Sequence, residues 1–195
     1  MNTKLAALLR ELETFGAEHD AHAPDRAARL LNIPRATGEF LLWLARALEA
    51  RRILEVGTSN GYSTLWLAYA AQAFSGSVVT IEHVSTKAAM ARENFERVSL
   101  TPWIRQHLGD AADILKQQAD HSFGLIFLDA DRRQYVALWD DLQRVLALGG
   151  VIVVDNAVSH ADDLAEFFAR VHATPGYLTS LVPVGKGAGL ILKET

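Results

Sequence analysis

Arg52-Ile-Leu-Glu-Val-Gly-Thr-Ser-Asn-Gly-Tyr-Ser-Thr64 is the stretch that decides how this chain folds. A short apolar run, residues 53–56, breaks at Gly57-Thr58-Ser59-Asn60-Gly61. A helical pattern then follows, with Leu65, Leu67 and Ala68 behind Ser63. A strand, a glycine turn and a helix start gather backbone N–H groups and the positive end of a helix around one ligand. The glycine spacing is G-x-x-x-G, not the G-x-G-x-x-G of pyrophosphate binders. Glu55 sharpens the distinction, because a carboxylate at the strand end repels a diphosphate and attracts an ammonium or a sulfonium. This pattern favours S-adenosylmethionine over NAD.

On either side of this stretch, apolar runs alternate with amphipathic segments. Strand-like runs occupy 78–81, 103–108, 125–128 and 151–154, and helices are expected near 61–73, 85–99, 132–146 and 161–173. Continuous apolar strands between such helices predict a parallel sheet covered on both faces. Upstream, Leu5, Leu8, Leu9, Leu12 and Phe15 recur at helical spacing over residues 3–19, and a second helix is expected from about Gly38 to Leu48. Downstream, residues 178–184, the turn Gly185-Lys186-Gly187 and residues 190–192 form a terminal hairpin with an antiparallel strand. The expected fold is α/β: a Rossmann-like, doubly wound, mostly parallel seven-stranded sheet with a C-terminal antiparallel hairpin and extra N-terminal helices. No repeat, linker or low-complexity tract divides the chain. Residues 1–195 are therefore read as one domain, 1–50 a helical cap and 51–195 the sheet core.

The composition narrows the possible partners. A net charge of −4 and a pI near 6.0 argue against a nucleic-acid surface, which needs clustered Lys and Arg. Arg51-Arg52 and Arg132-Arg133 are pairs only. No apolar run approaches the ~18 residues needed to span a membrane, and the start at Met1-Asn2-Thr3-Lys4 lacks the hydrophobic core of a signal peptide. The absence of cysteine removes thiolate nucleophiles, disulfides and cysteine zinc sites. The expectation is a cytoplasmic protein acting on a small molecule, with no membrane or nucleic-acid partner.

In open α/β sheets, ligands bind beyond the carboxyl ends of the strands. Those ends carry Glu55 to Gly57, Glu82-His83, Gly109-Asp110-Ala111, Asp129-Ala130-Asp131 and Asp155-Asn156. Glu82 follows Gly57 by 25 residues, close to the ~20-residue offset of an acid that accepts ribose hydroxyls. His83 is either a neighbour of an adenine ring or an ordinary loop histidine. Gly109-Asp110-Ala111 would approach the adenine edge, although Gly-Asp is also common turn chemistry. Asp129, Asp155 and Asn156 offer three oxygen ligands from two strands without His or Cys, a set that suits a hard cation such as Mg²⁺. The competing reading makes them helix caps and turn formers. Trp43, Trp66 and Trp139 fall on helical patterns and are expected to pack. His19, His22, His107, His121 and His172 lack ligand spacing, and His160 lies past Asp155-Asn156 in a non-catalytic role.

Taken in order, these stretches resemble the metal-dependent O-methyltransferases of the catechol and caffeoyl-CoA type, within the class I S-adenosylmethionine-dependent methyltransferases. The matching residues are Ile53 to Ser63, Thr80-Ile-Glu82, Gly109-Asp-Ala111, Phe127-Leu-Asp-Ala-Asp131 with Tyr135, and Gly149-Gly-Val-Ile-Val-Val-Asp-Asn156. The terminal hairpin, with Gly185-Lys186-Gly187, is similar to the bacterial branch. The resemblance implies that Glu55, Gly57, Thr58, Ser59 and Ser63, with Asp129 beside them, hold the methionine end of the cofactor. It assigns the ribose to Glu82, the adenine to the backbone of Ala111, a closing contact to Ile33, and a metal to Asp129, Asp155 and Asn156. Relatives are often dimers, so a homodimer is compatible with it. One residue departs from the pattern: where the family usually has Asp-Ala-Asp-Lys, this chain has Asp129-Ala130-Asp131-Arg132. The family's lysine is read as base or charge partner for the attacking hydroxyl. An arginine stays protonated and serves only as a charge partner, which makes Asp129, Asp131 and Arg132 the catalytic candidates. The alternatives are an NAD(P)-binding oxidoreductase and a cofactor-binding protein without metal-dependent catalysis.

Overall fold

The computed structural model describes residues 1–194. Strand β1 (Arg52–Val56) lies in the middle of the sheet because its run is apolar on both faces. It pairs in parallel with β2 (Ser77–Glu82) on one side and β4 (Phe123–Leu128) on the other. Beyond β2 lies β3 (Ile104–Leu108), and beyond β4 lies β5 (Leu146–Val154). The hairpin of β6 (Tyr177–Val182) and β7 (Ala188–Lys193) completes the order β3-β2-β1-β4-β5-β7-β6. β7 is antiparallel to both neighbours, so it alone opposes the other six strands. The chain reverses its direction of sheet growth between β1 and β4, the place where such sheets open a crevice for ligands.

Strand side chains alternate between two cores, as a period of two requires. Ile53, Val78, Leu125, Phe127, Val151 and Val153 pack under α1 (Thr3–His22), α2 (Arg35–Ala47) and α3 (Tyr62–Gln72). Leu54, Val56, Val79, Ile81, Ile126, Leu128, Ile152 and Val154 pack on the other face. There they meet α5 (Ala111–Lys116), α6 (Tyr135–Val145) and α7 (Ala161–His172). Helix α4 (Ser85–Arg97) returns the chain to β3 and adds Ala91 and Phe95 to the first core.

Several elements differ from expectation. Helix α5 falls where only a turn was read, because its six residues are too short to show periodicity and it starts from an Asp110 cap (Ala112 N to Oδ1, 2.8 Å). The helix expected over 132–146 divides into a 3₁₀ turn, Arg132–Gln134, and α6. α2 begins at Arg35, right after Pro34, and includes Gly38, where a Cβ would lie 2.4 Å from the Trp66 ring. β5 begins five residues before 151 and runs through Gly149-Gly150. Trp66 and Trp139 are buried as expected, but Trp43 is 66% exposed on the outer side of α2. Among the described residues no helix is long and apolar enough to cross a membrane.

Candidate active site

The turn after β1 is fixed by two glycines. Gly57 has φ +107°, and a Cβ there would lie 2.1 Å from the carbonyl oxygen of Asp129. Gly61 has φ +86° and caps α3, where a Cβ would strike the Phe95 ring at 2.4 Å. No side chain fits either position, so the turn lies hard against the end of β4. Between the glycines, Ser59 donates its amide to Glu82 Oε2 (2.8 Å) and its hydroxyl to the carbonyl of Leu30 (2.7 Å). The segment before α2 is thereby drawn over the turn, and Asp20 holds it from behind by accepting the amides of Leu30 and Leu31 (2.6 and 2.8 Å). Ile33, expected to close on the cofactor, is 4% exposed and packs into the core under α1 to α3. The residue of this segment that meets the glycine turn is Leu30.

Glu55 is fully buried, one residue inside the end of β1. Ser63 donates to its Oε1 (2.6 Å), while Thr80 (2.6 Å) and Thr64 both donate to Oε2. Burial pushes its carboxyl up to about 7, against the pull of these three hydroxyls. Glu55 therefore reaches the turn through Ser63 at the start of α3 and does not itself face open cleft. Thr58, also buried, shares a 2.6 Å hydrogen bond with Thr80 and joins the same network.

Glu82 ends β2 nearly buried, accepting the amides of Ser59, His83 and Val84 at 2.8 to 2.9 Å. Three amides aim this carboxylate at the glycine turn. His83 is exposed, with Nδ1 3.5 Å from Glu82 Oε1. Ala111 is the buried first residue of α5, beside the Asp110 cap.

Asp129 and Asp155 end adjacent strands, their amides bonded to the carbonyls of Val56 and Leu128 respectively (3.0 Å each). Burial pushes Asp129 well above the usual carboxylate range, and Asp155 and Glu55 push it further. Asp155 is raised too, burial again leading. Its Oδ2 accepts from Asn156 Nδ2 (2.6 Å), but its buried Oδ1 has no hydrogen-bond partner. Two raised carboxyls with one orphaned oxygen are what a hard divalent cation would satisfy. The residues present therefore fit such an ion. Among the described residues, no three His, Cys, Asp or Glu side chains cluster as a metal site. The set is two carboxylates and one amide, which would leave half of an octahedral shell for water and substrate.

Around this pair the sequence candidates separate. Arg132 lies close enough to act on Asp129 and Asp155, and is bridged to Asp163 (Nη2 to Oδ2, 3.3 Å). Asp131, one of the three catalytic candidates, is not free to take up a proton. Both of its oxygens are engaged by the Arg133 guanidinium (2.6 to 3.1 Å), which holds its carboxyl below the usual range. His160 caps α7, and its ring is held below the usual histidine range by partial burial and then by Arg132. Two contributions were not read from sequence. Tyr135, buried under α7, receives the Ala130 amide on its hydroxyl (2.7 Å) and shapes the turn after Asp129. Lys186, exposed in the β6–β7 turn, pulls the Asp129 and Asp155 carboxyls down against the larger effect of burial. Its only sequence signal is the Gly-Lys-Gly turn, which says nothing about which loop it meets.

Residues 3–193 match the family model described as O-methyltransferase. The chain is 42% identical over 148 residues to a catechol O-methyltransferase from Mycobacterium tuberculosis, covering 75% of this chain and 67% of that protein. It is 37% identical over 144 residues to a catechol O-methyltransferase from Niastella koreensis, covering 72% of this chain but only 54% of that protein. Among solved structures, an O-methyltransferase from Bacillus cereus in complex with S-adenosylhomocysteine (SAH) superposes with a TM-score of 0.81 at 28% identity, over 96% of this chain and 91% of the other.

Proposed function

This chain belongs to the O-methyltransferase family, and from that premise we propose that it moves the methyl group of S-adenosylmethionine to a hydroxyl oxygen of a small, aromatic, catechol-like acceptor with the help of a divalent cation. One observation carries the proposal: Gly57 packs against the Asp129 carbonyl with no room for a side chain. The cofactor turn and the acidic pair therefore line one crevice, donor beside acceptor. Glu82 accepts the ribose hydroxyls, its orientation set by three amides. Ser63, backed by Glu55, and the amides around Thr58 and Ser59 receive the methionine end at the positive terminus of α3. Asp129, Asp155 and Asn156 would hold Mg²⁺, which when bound acidifies a coordinated hydroxyl. Arg132, fixed by Asp163, supplies permanent positive charge beside the acceptor. Residues 1–195 act as one methyltransferase domain in this reading, and the relatives' names, catechol O-methyltransferase, support the acceptor class. Nothing in the crevice or the comparisons favours NAD(P).

Calorimetry with S-adenosylhomocysteine and with NAD⁺, followed by turnover of catechol with and without chelator, tests the reading. We expect binding of the first ligand only, and methylation that needs added Mg²⁺ or Mn²⁺. Binding of NAD⁺ alone would sink the donor assignment, and full turnover in excess chelator would sink the metal assignment.

A further inference from the structure

The acidic pair has two nearby cations, and only one is already committed. Arg132 is 13% exposed and bridged to Asp163. Lys186 has no salt-bridge partner among the described residues. Its position is nonetheless closely fixed. The carbonyl of Lys186 accepts the amides of Val158 and Ser159 (3.2 and 3.1 Å), and that of Gly187 accepts the amide of Ala157 (2.8 Å). Three consecutive residues directly after Asp155-Asn156 are thus stitched to the hairpin turn. The flanking glycines make the approach possible. A Cβ at Gly187 (φ +90°) would lie 2.4 Å from Val158, and one at Gly185 (φ +58°) would lie 2.2 Å from Thr37 Oγ1. The turn is wedged between the start of α2 and the loop after β5, with Lys186 exposed at its tip.

We propose that Lys186 is the acceptor-side cation of this protein: its ammonium faces the ionised hydroxyl oxygen of the acceptor, the role of charge partner that the family gives to the lysine replaced here by Arg132. The inference rests on the O-methylation reading above. The groups on which the charge of Lys186 acts are Asp129 at the end of β4, Asp155 at the end of β5 and His160 at the start of α7, and His160 is also acted on by Arg132, Asp163 and Arg26. With Asp163 taken by Arg132, the exposed, unbridged ammonium on this fixed turn is the group left for an incoming oxyanion. Arginine in place of the family's lysine is tolerable because the hairpin turn still offers a primary amine. No atom is transferred to or from Lys186 in this role.

The test uses 4-nitrocatechol, whose ionisation is visible by absorbance, bound to the protein with S-adenosylhomocysteine and Mg²⁺. Lys186→Ala and Lys186→Gln should raise the phenol pKa of the bound probe by about one unit and lower kcat/KM by about ten- to a hundred-fold, the weight of one charged hydrogen bond. Lys186→Arg should restore the probe's pKa, and calorimetric affinity for S-adenosylhomocysteine should stay at the parent value in all three. A bound-probe pKa unchanged in Lys186→Ala overturns the proposal. So does an Arg132→Ala variant that reproduces the whole shift by itself, or a loss in Lys186→Ala that Lys186→Arg fails to rescue, which would mark a structural turn residue. A parent protein that binds S-adenosylhomocysteine but methylates no catechol would instead remove the reading on which the proposal rests.

Discussion

Glu55 should make the protein less stable as pH rises, by an amount the structure lets one work out. Its carboxyl goes from an ordinary value of 4.5 to about 7 on folding, because burial penalises the charged form more than Ser63, Thr64 and Thr80 compensate. A carboxyl with a raised folded value holds its proton in the native state where the unfolded chain has lost it. Native protein therefore binds more protons than unfolded protein between 4.5 and 7, and stability falls across that window. At 1.36 kcal/mol per pH unit, the full loss is about 3 kcal/mol, complete above the upper value and absent below the lower one. Urea unfolding of the parent and of Glu55→Gln at half-unit steps from pH 5 to 8 reads this contribution together with its coupling to Asp129, since the remaining carboxylates titrate alike in both proteins. The variant's amide never ionises, so its stability relative to the parent should grow by about 2–3 kcal/mol over the range. Saturating S-adenosylmethionine, whose sulfonium favours an ionised Glu55, should flatten the parent's slope more than S-adenosylhomocysteine does. A gap between parent and Glu55→Gln that stays constant from pH 5 to 8 would refute the reasoning.

Other outcomes follow from the same geometry. Glu82→Ala should weaken both S-adenosylmethionine and its demethylated product ten-fold or more by calorimetry, since each hydrogen bond to this carboxylate is worth about 1.5–3 kcal/mol; a folded variant with parental affinity would show that Glu82 serves only its three amides. Gly57→Ala should cost more than about 3 kcal/mol in thermal or urea unfolding, because left-handed strain adds to a contact no Cβ survives. Asp155→Ala should abolish turnover as chelator does while cofactor affinity survives. It should also stabilise the metal-free protein at pH 8, by removing the buried Asp155 carboxyl that disfavours a charged Asp129; equal melting temperatures would argue that the pair is already neutral.

The sheet and its glycine turn were legible because they rest on local rules. Residues 53–56, 125–128 and 151–154 are apolar on both faces, which forces a strand covered on both sides, and the turn at Gly57 to Gly61 announces itself through the residue that lacks a side chain. The polar groups at the strand ends, Glu82, Asp129, Asp155 and Asn156, stood out as exceptions to apolar runs, so their place along the carboxyl edge of one sheet followed from parallel topology alone. Sequence did not show α5, whose six residues carry too little periodicity, or the exposure of Trp43, since a helical position does not say which side meets a neighbour. Only the folded chain decided what each acid has for company. Glu55 is enclosed by three hydroxyls from α3 and β2, Asp131 is taken by Arg133, and Asp155 keeps an oxygen without a partner. The turn that carries Lys186, 31 residues beyond Asp155, meets the loop after β5 because its glycines admit that loop. Periodicity and turn chemistry are properties of a few neighbouring residues, whereas burial, charge pairing and unsatisfied hydrogen bonds belong to groups distant along the chain, and packing alone brings those together.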